Sequence, residues 1–297
     1  MTDSSGSGTT TSTRPQPGVH LVEWGCELLG TAILLIGGLS AVCLDFGSHS
    51  PIAAHLHSTS ARLLLTGLLF PGVGSLVALS PIGRRSGAHL NPAVTLGFWC
   101  HRKVHPHDLA GYVVAQLVGA LVGTAVVLGL WGARARSVTV GVTSPGHGLD
   151  GVEAMLVEAG MTAALVLVVL VFTSSASTMR WTPLVTWLLV AGFVWQVAPY
   201  TGTSLNPARS FGPAVIEPRF ASFWVYVVGP LAGALLAVAV NHYLPTHPPV
   251  TTKLFHDPSY PTTMAASVPV ARRVRRAGRS ARSPRSGTGR RSRRGAR

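Results

Sequence analysis

The sequence predicts an all-α membrane protein: six transmembrane helices plus two re-entrant half-helices, arranged as an inverted repeat. Three observations carry that expectation. Only 11% of the 297 residues are charged, less than half the share of about 25% in a soluble domain. Uncharged runs long enough to cross a bilayer recur along the chain. Two shorter apolar stretches, each beginning Asn-Pro, stand at matching places in its two halves.

The elements follow in order. Residues 1–19 are polar and rich in Ser and Thr, without the apolar core of a signal peptide; they read as a disordered leader. A bilayer core needs roughly 20 apolar residues of helix. Runs 28–44 (extended back through Leu21), 63–83, 109–133, 159–179, 181–200 and 220–243 meet that need and read as six spans. Residues 91–100 and 206–215 are too short: about ten residues rise roughly 15 Å, half a bilayer. Asn is a strong N-cap, and Pro at the first helical position gives up no needed hydrogen bond. Both stretches therefore read as capped half-helices. Non-helical backbone at membrane depth is tolerated only where it is buried in protein or lines a cavity, so the pair predicts a pore or a central site.

Residues 245–297 are rich in Pro, Ser and Arg and read as a disordered tail. The net charge of +14 belongs largely to it, since residues 271–297 hold 12 Arg and no acid. A nucleic-acid signature is thus absent from the body. An Arg-rich tail beside a membrane can bind anionic lipid, at about 1 kcal/mol per near-surface charge. Cys26, Cys43 and Cys100 are scattered through apolar stretches and read as small buried hydrophobes, not as a metal site or disulfide framework.

The chain repeats itself. Cys26-Glu27-Leu-Leu-Gly-Thr31-Ala echoes Val157-Glu158-Ala-Gly-Met-Thr162-Ala; Leu90-Asn91-Pro92-Ala93 echoes Leu205-Asn206-Pro207-Ala208; Tyr112-Val-Val-Ala-Gln116 echoes Tyr226-Val-Val-Gly-Pro230. Each half, about 20–133 and 151–244, is span, span, half-helix, span. Three spans per half is odd, so the second copy enters the membrane from the opposite side, with a shared site near the midplane.

Ser86-Gly87-Ala88-His89-Leu90-Asn91-Pro92-Ala93-Val94 and Gly202-Thr203-Ser204-Leu205-Asn206-Pro207-Ala208-Arg209-Ser210 resemble the paired signature loops of the aquaporin (major intrinsic protein) family. The resemblance covers about residues 20–244 and is to a water-channel-like prokaryotic member. It implies a homotetramer with one pore per protomer and passive flow of water or small uncharged solutes, without cofactor, bound metal or catalysis.

The residues allow a mechanism beside the resemblance. Two half-helices meeting tip to tip each place about half a positive charge at the membrane centre, which repels hydronium and metal cations. Asn91 and Asn206 offer NH₂ donors to a passing water, and a water that accepts from both cannot also accept from its neighbour, which hinders a proton wire. Arg209 is an intramembrane charge and so a functional residue by default. The resemblance places it at a selectivity constriction beside the backbone carbonyl of Thr203. Alignment from the motifs adds Val194, where water-selective relatives often carry His, and either Phe70 or Pro71. Glu27 and Glu158 read either as a proton relay or, preferably, as acceptors for the loops that precede the half-helices. His89 reads as a pH gate or a packed polar residue; His49, His55 and His57 read as a solvated loop or a metal site.

Water is the expected main permeant, with some leak of small neutral solutes through the Val194 gap. The alternative is a glycerol, metalloid or other small-solute facilitator. An ion-coupled transporter would need partnered acids facing a central site, and an embedded enzyme would need a nucleophile or metal cluster; neither is visible. Six spans put both ends on one side. The tail arginines, Arg84, Arg85, Arg102, Lys103 and Arg180 fall there, against Arg62, Arg134, Arg136 and Arg219 opposite, so the positive-inside rule predicts cytoplasmic termini in a cell membrane.

Overall fold

Each of the six long apolar runs supplies one long helix. The computed structural model describes residues 19–146 and 148–244; the expected tail, and the leader except residue 19, lie outside them. The spans are α1 (Leu21–Phe46), α2 (Thr59–Leu79), α4 (Pro106–Trp131), α5 (Gly151–Thr173), α6 (Thr182–Thr201) and α8 (Val225–Tyr243). All six are long and apolar enough to cross a membrane. The half-helices are α3 (Pro92–Cys100) and α7 (Pro207–Ile216). No strand occurs among the described residues.

Boundaries depart from the uncharged runs where capping chemistry outweighs charge. α5 begins at Gly151 rather than 159, because Asp150 and Glu153 form a reciprocal capping box, and Glu153 and Glu158 then lie within the helix. α2 begins at Thr59, where the Ser58 hydroxyl accepts the Ala61 N–H. It stops at Leu79 because Ser80 caps a separate turn, Pro81–Ser86.

Three pairings build the bundle: α1 on α4, α5 on α8, and α2 on α6 across the two halves. The first two are repeat equivalents and cross alike. A Cβ at Gly119 would come within 2.2 Å of the Leu28 carbonyl, and one at Gly233 within 2.2 Å of the Ala159 carbonyl; only glycine lets these backbones approach so closely. The half-helices cross over, α3 packing on α8 and α7 on α4. They also leave the centre in opposite directions. Beyond α3, His101 Nε2 meets Asn241 near the end of α8, whereas Glu217, just past α7, pairs with Arg136 beyond the end of α4.

Gly233→Ala should lower the thermal melting midpoint in detergent, since overpacking costs about 1–3 kcal/mol. Gly129→Ala, where a methyl meets nothing within 4 Å, should hold or raise it through helix propensity. Equal midpoints for the two variants would show that the α5–α8 crossing tolerates a side chain.

Candidate functional site

The two Asn-Pro loops are built alike, residue for residue. Gly87 and Gly202 turn into the left-handed region at φ 95° and 77°, followed by left-handed Ala88 and Leu90 in one loop and Thr203 and Leu205 in the other. Such backbone in non-glycine residues persists only where its surroundings over-determine it. Here the loop N–H groups are drawn to a buried carboxylate from the repeat-equivalent span.

Glu27 Oε1 accepts the His89 N–H at 2.9 Å and the Ser86 hydroxyl at 2.7 Å; Oε2 accepts the Leu90 N–H at 2.6 Å and the Gln116 amide at 2.8 Å. Glu158 Oε1 accepts the Ser204 N–H at 2.9 Å and the Thr201 hydroxyl at 2.8 Å, and Oε2 the Leu205 N–H at 2.8 Å. Both side chains are fully buried. A second anchor repeats as well: the Tyr112 hydroxyl donates to the Ser86 carbonyl, and that of Tyr226 to the Thr201 carbonyl. The geometry of both acids is that of loop acceptors. Tyr226, the repeat counterpart of Tyr112 in sequence, is its structural twin as well.

Each loop delivers an Asn to the tip of its half-helix. Asn91 Oδ1 accepts the Ala93 N–H at 2.8 Å, and Asn206 Oδ1 accepts those of Ala208 and Arg209 at 3.0 and 3.3 Å. The amide nitrogens cross over. Asn91 Nδ2 donates to the Leu205 carbonyl at 2.9 Å, and Asn206 Nδ2 to the Leu90 carbonyl at 2.8 Å. One N–H of each amide thus ties the loops together and the other remains, where the sequence reading aimed both at the lumen. Pro92 and Pro207 hold the first helical positions, and Ala93 and Ala208 are wholly buried behind them.

Around these tips runs a cavity of about 390 Å³. Phe46 and Val142 line it near one end of the bundle, Asn91 and Asn206 at the middle, and Thr173 and Pro183 near the other end. Arg209, Thr203, Val194, Phe70 and Pro71 all line it too. The Arg209 guanidinium donates to the Gly141 carbonyl at 2.6 Å and lies over the Phe70 ring, 5.3 Å from its centre. Phe70, not Pro71, is therefore the residue that meets the arginine. Thr203 is tied back to α6 by its hydroxyl on the Phe193 carbonyl.

Sequence reasoning missed the segment that holds Arg209. Thr139, Val140 and Gly141 are left-handed in succession, at φ 48°, 50° and 76°, and the Thr143 hydroxyl meets that of Ser210 at 2.7 Å. Nothing in the local pattern of 138–143 marks it. Gln116 was visible in the repeat but not its grip on Glu27. His89 is packed, stacked on Phe98 at 4.7 Å with its Nδ1 3.3 Å from the Thr95 hydroxyl. His49, His55 and His57 are exposed, and among the described residues no three His, Cys, Asp or Glu side chains are placed to share a metal ion.

The chain is similar to known proteins. A profile of the major intrinsic protein family matches residues 20–241. Aquaporin AqpM of Methanothermobacter thermautotrophicus is 32% identical over 234 residues, covering 73% of this chain and 95% of its own. Aquaporin-4 of Mus musculus is 33% identical over 225 residues, 73% of this chain and 65% of its own. The X-ray structure of the aquaglyceroporin from Plasmodium falciparum superposes with a TM-score of 0.64 over 76% of this chain and 97% of its own, at 24% identity, which speaks to the fold alone.

Each carboxylate oxygen of Glu27 and Glu158 faces one loop N–H. A glutamine there sets its NH₂ against an N–H whichever way the amide turns. Glu27→Gln and Glu158→Gln should each lower stability, by about 1–3 kcal/mol per unsatisfied donor, and reduce flux in step with the loss of folded protein. A variant of full stability whose flux alone has lost its pH dependence would favour the proton-relay reading instead.

Proposed function

The chain belongs to the major intrinsic protein family, whose members are passive channels for water or small solutes, not enzymes, and from that premise we propose that it conducts water chiefly, leaks small neutral solutes, and excludes protons and ions. The observation that supports this most directly is the cavity that runs past the Asn91–Asn206 pair with Arg209 in its wall.

The half-helix tips place the positive ends of two dipoles at the middle of that cavity. A hydronium or metal cation there meets an unfavourable field with little water to screen it, while a neutral molecule does not. The remaining N–H of each Asn amide is the donor available to a permeating oxygen. Loop N–H groups are turned back to Glu27 and Glu158, so the loop carbonyls not taken by the Asn amides and the tyrosines are the replacement acceptors for water on its way through.

Selectivity rests on Arg209, Thr203, Val194 and Phe70. The guanidinium supplies donors and repels cations; the Phe70 ring and Val194 are apolar walls. Val194 has neither the bulk nor the donor of a histidine, so the aperture admits urea, glycerol or hydrogen peroxide more readily than a His-bearing filter. Four protomers in a cell membrane with cytoplasmic termini complete the proposal, the tail adding anionic-lipid contact.

Stopped-flow shrinkage of proteoliposomes in an impermeant solute, then re-swelling in glycerol and urea, tests this; shrinkage no faster than in empty vesicles would remove it. Arg209→Val should keep water flow and admit larger neutral solutes, because charge and bulk leave together; unchanged discrimination would take Arg209 out of the filter. Val194→His should lower the solute-to-water permeability ratio, by a factor within the range of about 1–3 kcal/mol per pocket group. Equal ratios would show that residue 194 does not face the permeant.

A further inference from the structure

Phe70 reaches Arg209 from a position that a neighbouring span makes room for. A Cβ on Gly38 of α1 would stand 2.5–2.6 Å from three atoms of the Phe70 ring, Cγ, Cδ1 and Cδ2. The ring therefore lies flat against the bare backbone of Gly38. Contact with Cγ, at the base of the ring, means that rotating the ring about its own axis cannot relieve a clash; the whole side chain has to swing.

The other side of the space is the cavity. Phe70 lines it, as do Leu34 and Val42 of α1 on either side of Gly38 in sequence, and the Arg209 guanidinium lies over the ring. A ring pushed off α1 moves toward the lumen and toward Arg209. Arg209 has little freedom to retreat: it is 8% exposed and bonded to the Gly141 carbonyl.

We propose that Gly38 is a specificity-determining positioning residue: the missing side chain on α1 holds the Phe70 ring out of the permeation path and so sets the aperture opposite Val194. It touches no permeant and acts through Phe70. The proposal rests on the reading of Phe70, Val194 and Arg209 as the filter.

The test is a double-mutant cycle on the full chain in proteoliposomes, comparing wild type, Gly38→Ala, Phe70→Ala and the double variant for water shrinkage and glycerol re-swelling. Gly38→Ala should lower the glycerol-to-water ratio by about tenfold, the low end of what one methylene decides in a pocket. In the Phe70→Ala background the same change should do nothing, since the ring is gone. An unchanged ratio in folded Gly38→Ala, or an equal loss in both backgrounds, overturns the proposal. Should Gly38→Ala fail to fold, the double variant must recover the yield of Phe70→Ala; continued failure places the clash elsewhere and also overturns it. A wild type that passes no neutral solute defeats the solute-leak reading but not this one. With 4-fluorophenylalanine at position 70, the ¹⁹F resonance must then still move in Gly38→Ala, and a fixed resonance counts against Gly38.

Discussion

Two buried carboxylates hold the candidate site in shape. Backbone that is not helical has nowhere to place its N–H groups inside a bilayer, and each unsatisfied group there costs several kcal/mol. Glu27 and Glu158 meet that demand by presenting both oxygens to consecutive N–H groups of a loop. With the N–H groups fixed, the left-handed turns at Ala88, Leu90, Thr203 and Leu205 are held, the Asn caps are delivered to the helix tips, and the half-helices stop at mid-depth. Charge inside a membrane is usually a sign of transport chemistry; here its geometry is that of scaffolding.

The two halves are alike in scaffold and differ at the cavity. Glutamate, hydroxyl, tyrosine and asparagine recur in both halves at the same positions. Three residues past each Asn the correspondence ends: Val94 stands in one half and Arg209 in the other. The partners of the acids differ as well, for Gln116 reaches Glu27 while its counterpart is Pro230, which has no donor. Twofold construction therefore gives a symmetric centre at the Asn pair and sets Arg209 on one side of it, toward the end where Arg209 and Gly141 meet.

Much of this was legible from the residues. Helix number, the half-helices and the acids' role as loop acceptors follow from charge-free length, Asn-Pro capping and the position of each acid in the repeat. Helix ends were less legible, because Glu153 and Glu158 lie inside a helix that Asp150 caps, so its start precedes the uncharged run. Contacts between distant segments were not legible at all. The exchange of Asn amides between loops joins residues more than a hundred positions apart, and the carbonyl that holds Arg209 comes from Gly141, whose neighbours carry no motif. Phe70 and Pro71 could not be separated by counting from Asn91, since adjacent helical positions both reach the cavity; the ring's contact with the guanidinium distinguishes them.

The crossed amides also bear on how such a chain is assembled. Asn91 finds its acceptor at Leu205, and Leu90 its donor at Asn206; α3 rests on α8. When synthesis has delivered only the first half, that loop has its carboxylate but neither its partner amide nor α8. The first re-entrant segment then has α4 beside it, through Tyr112 and the Gln116 amide on Thr95, but lacks α8 until the last span arrives. The crossed amides and the α3–α8 packing exist only once both halves of the chain are present, so the closed centre needs the complete pair of repeats.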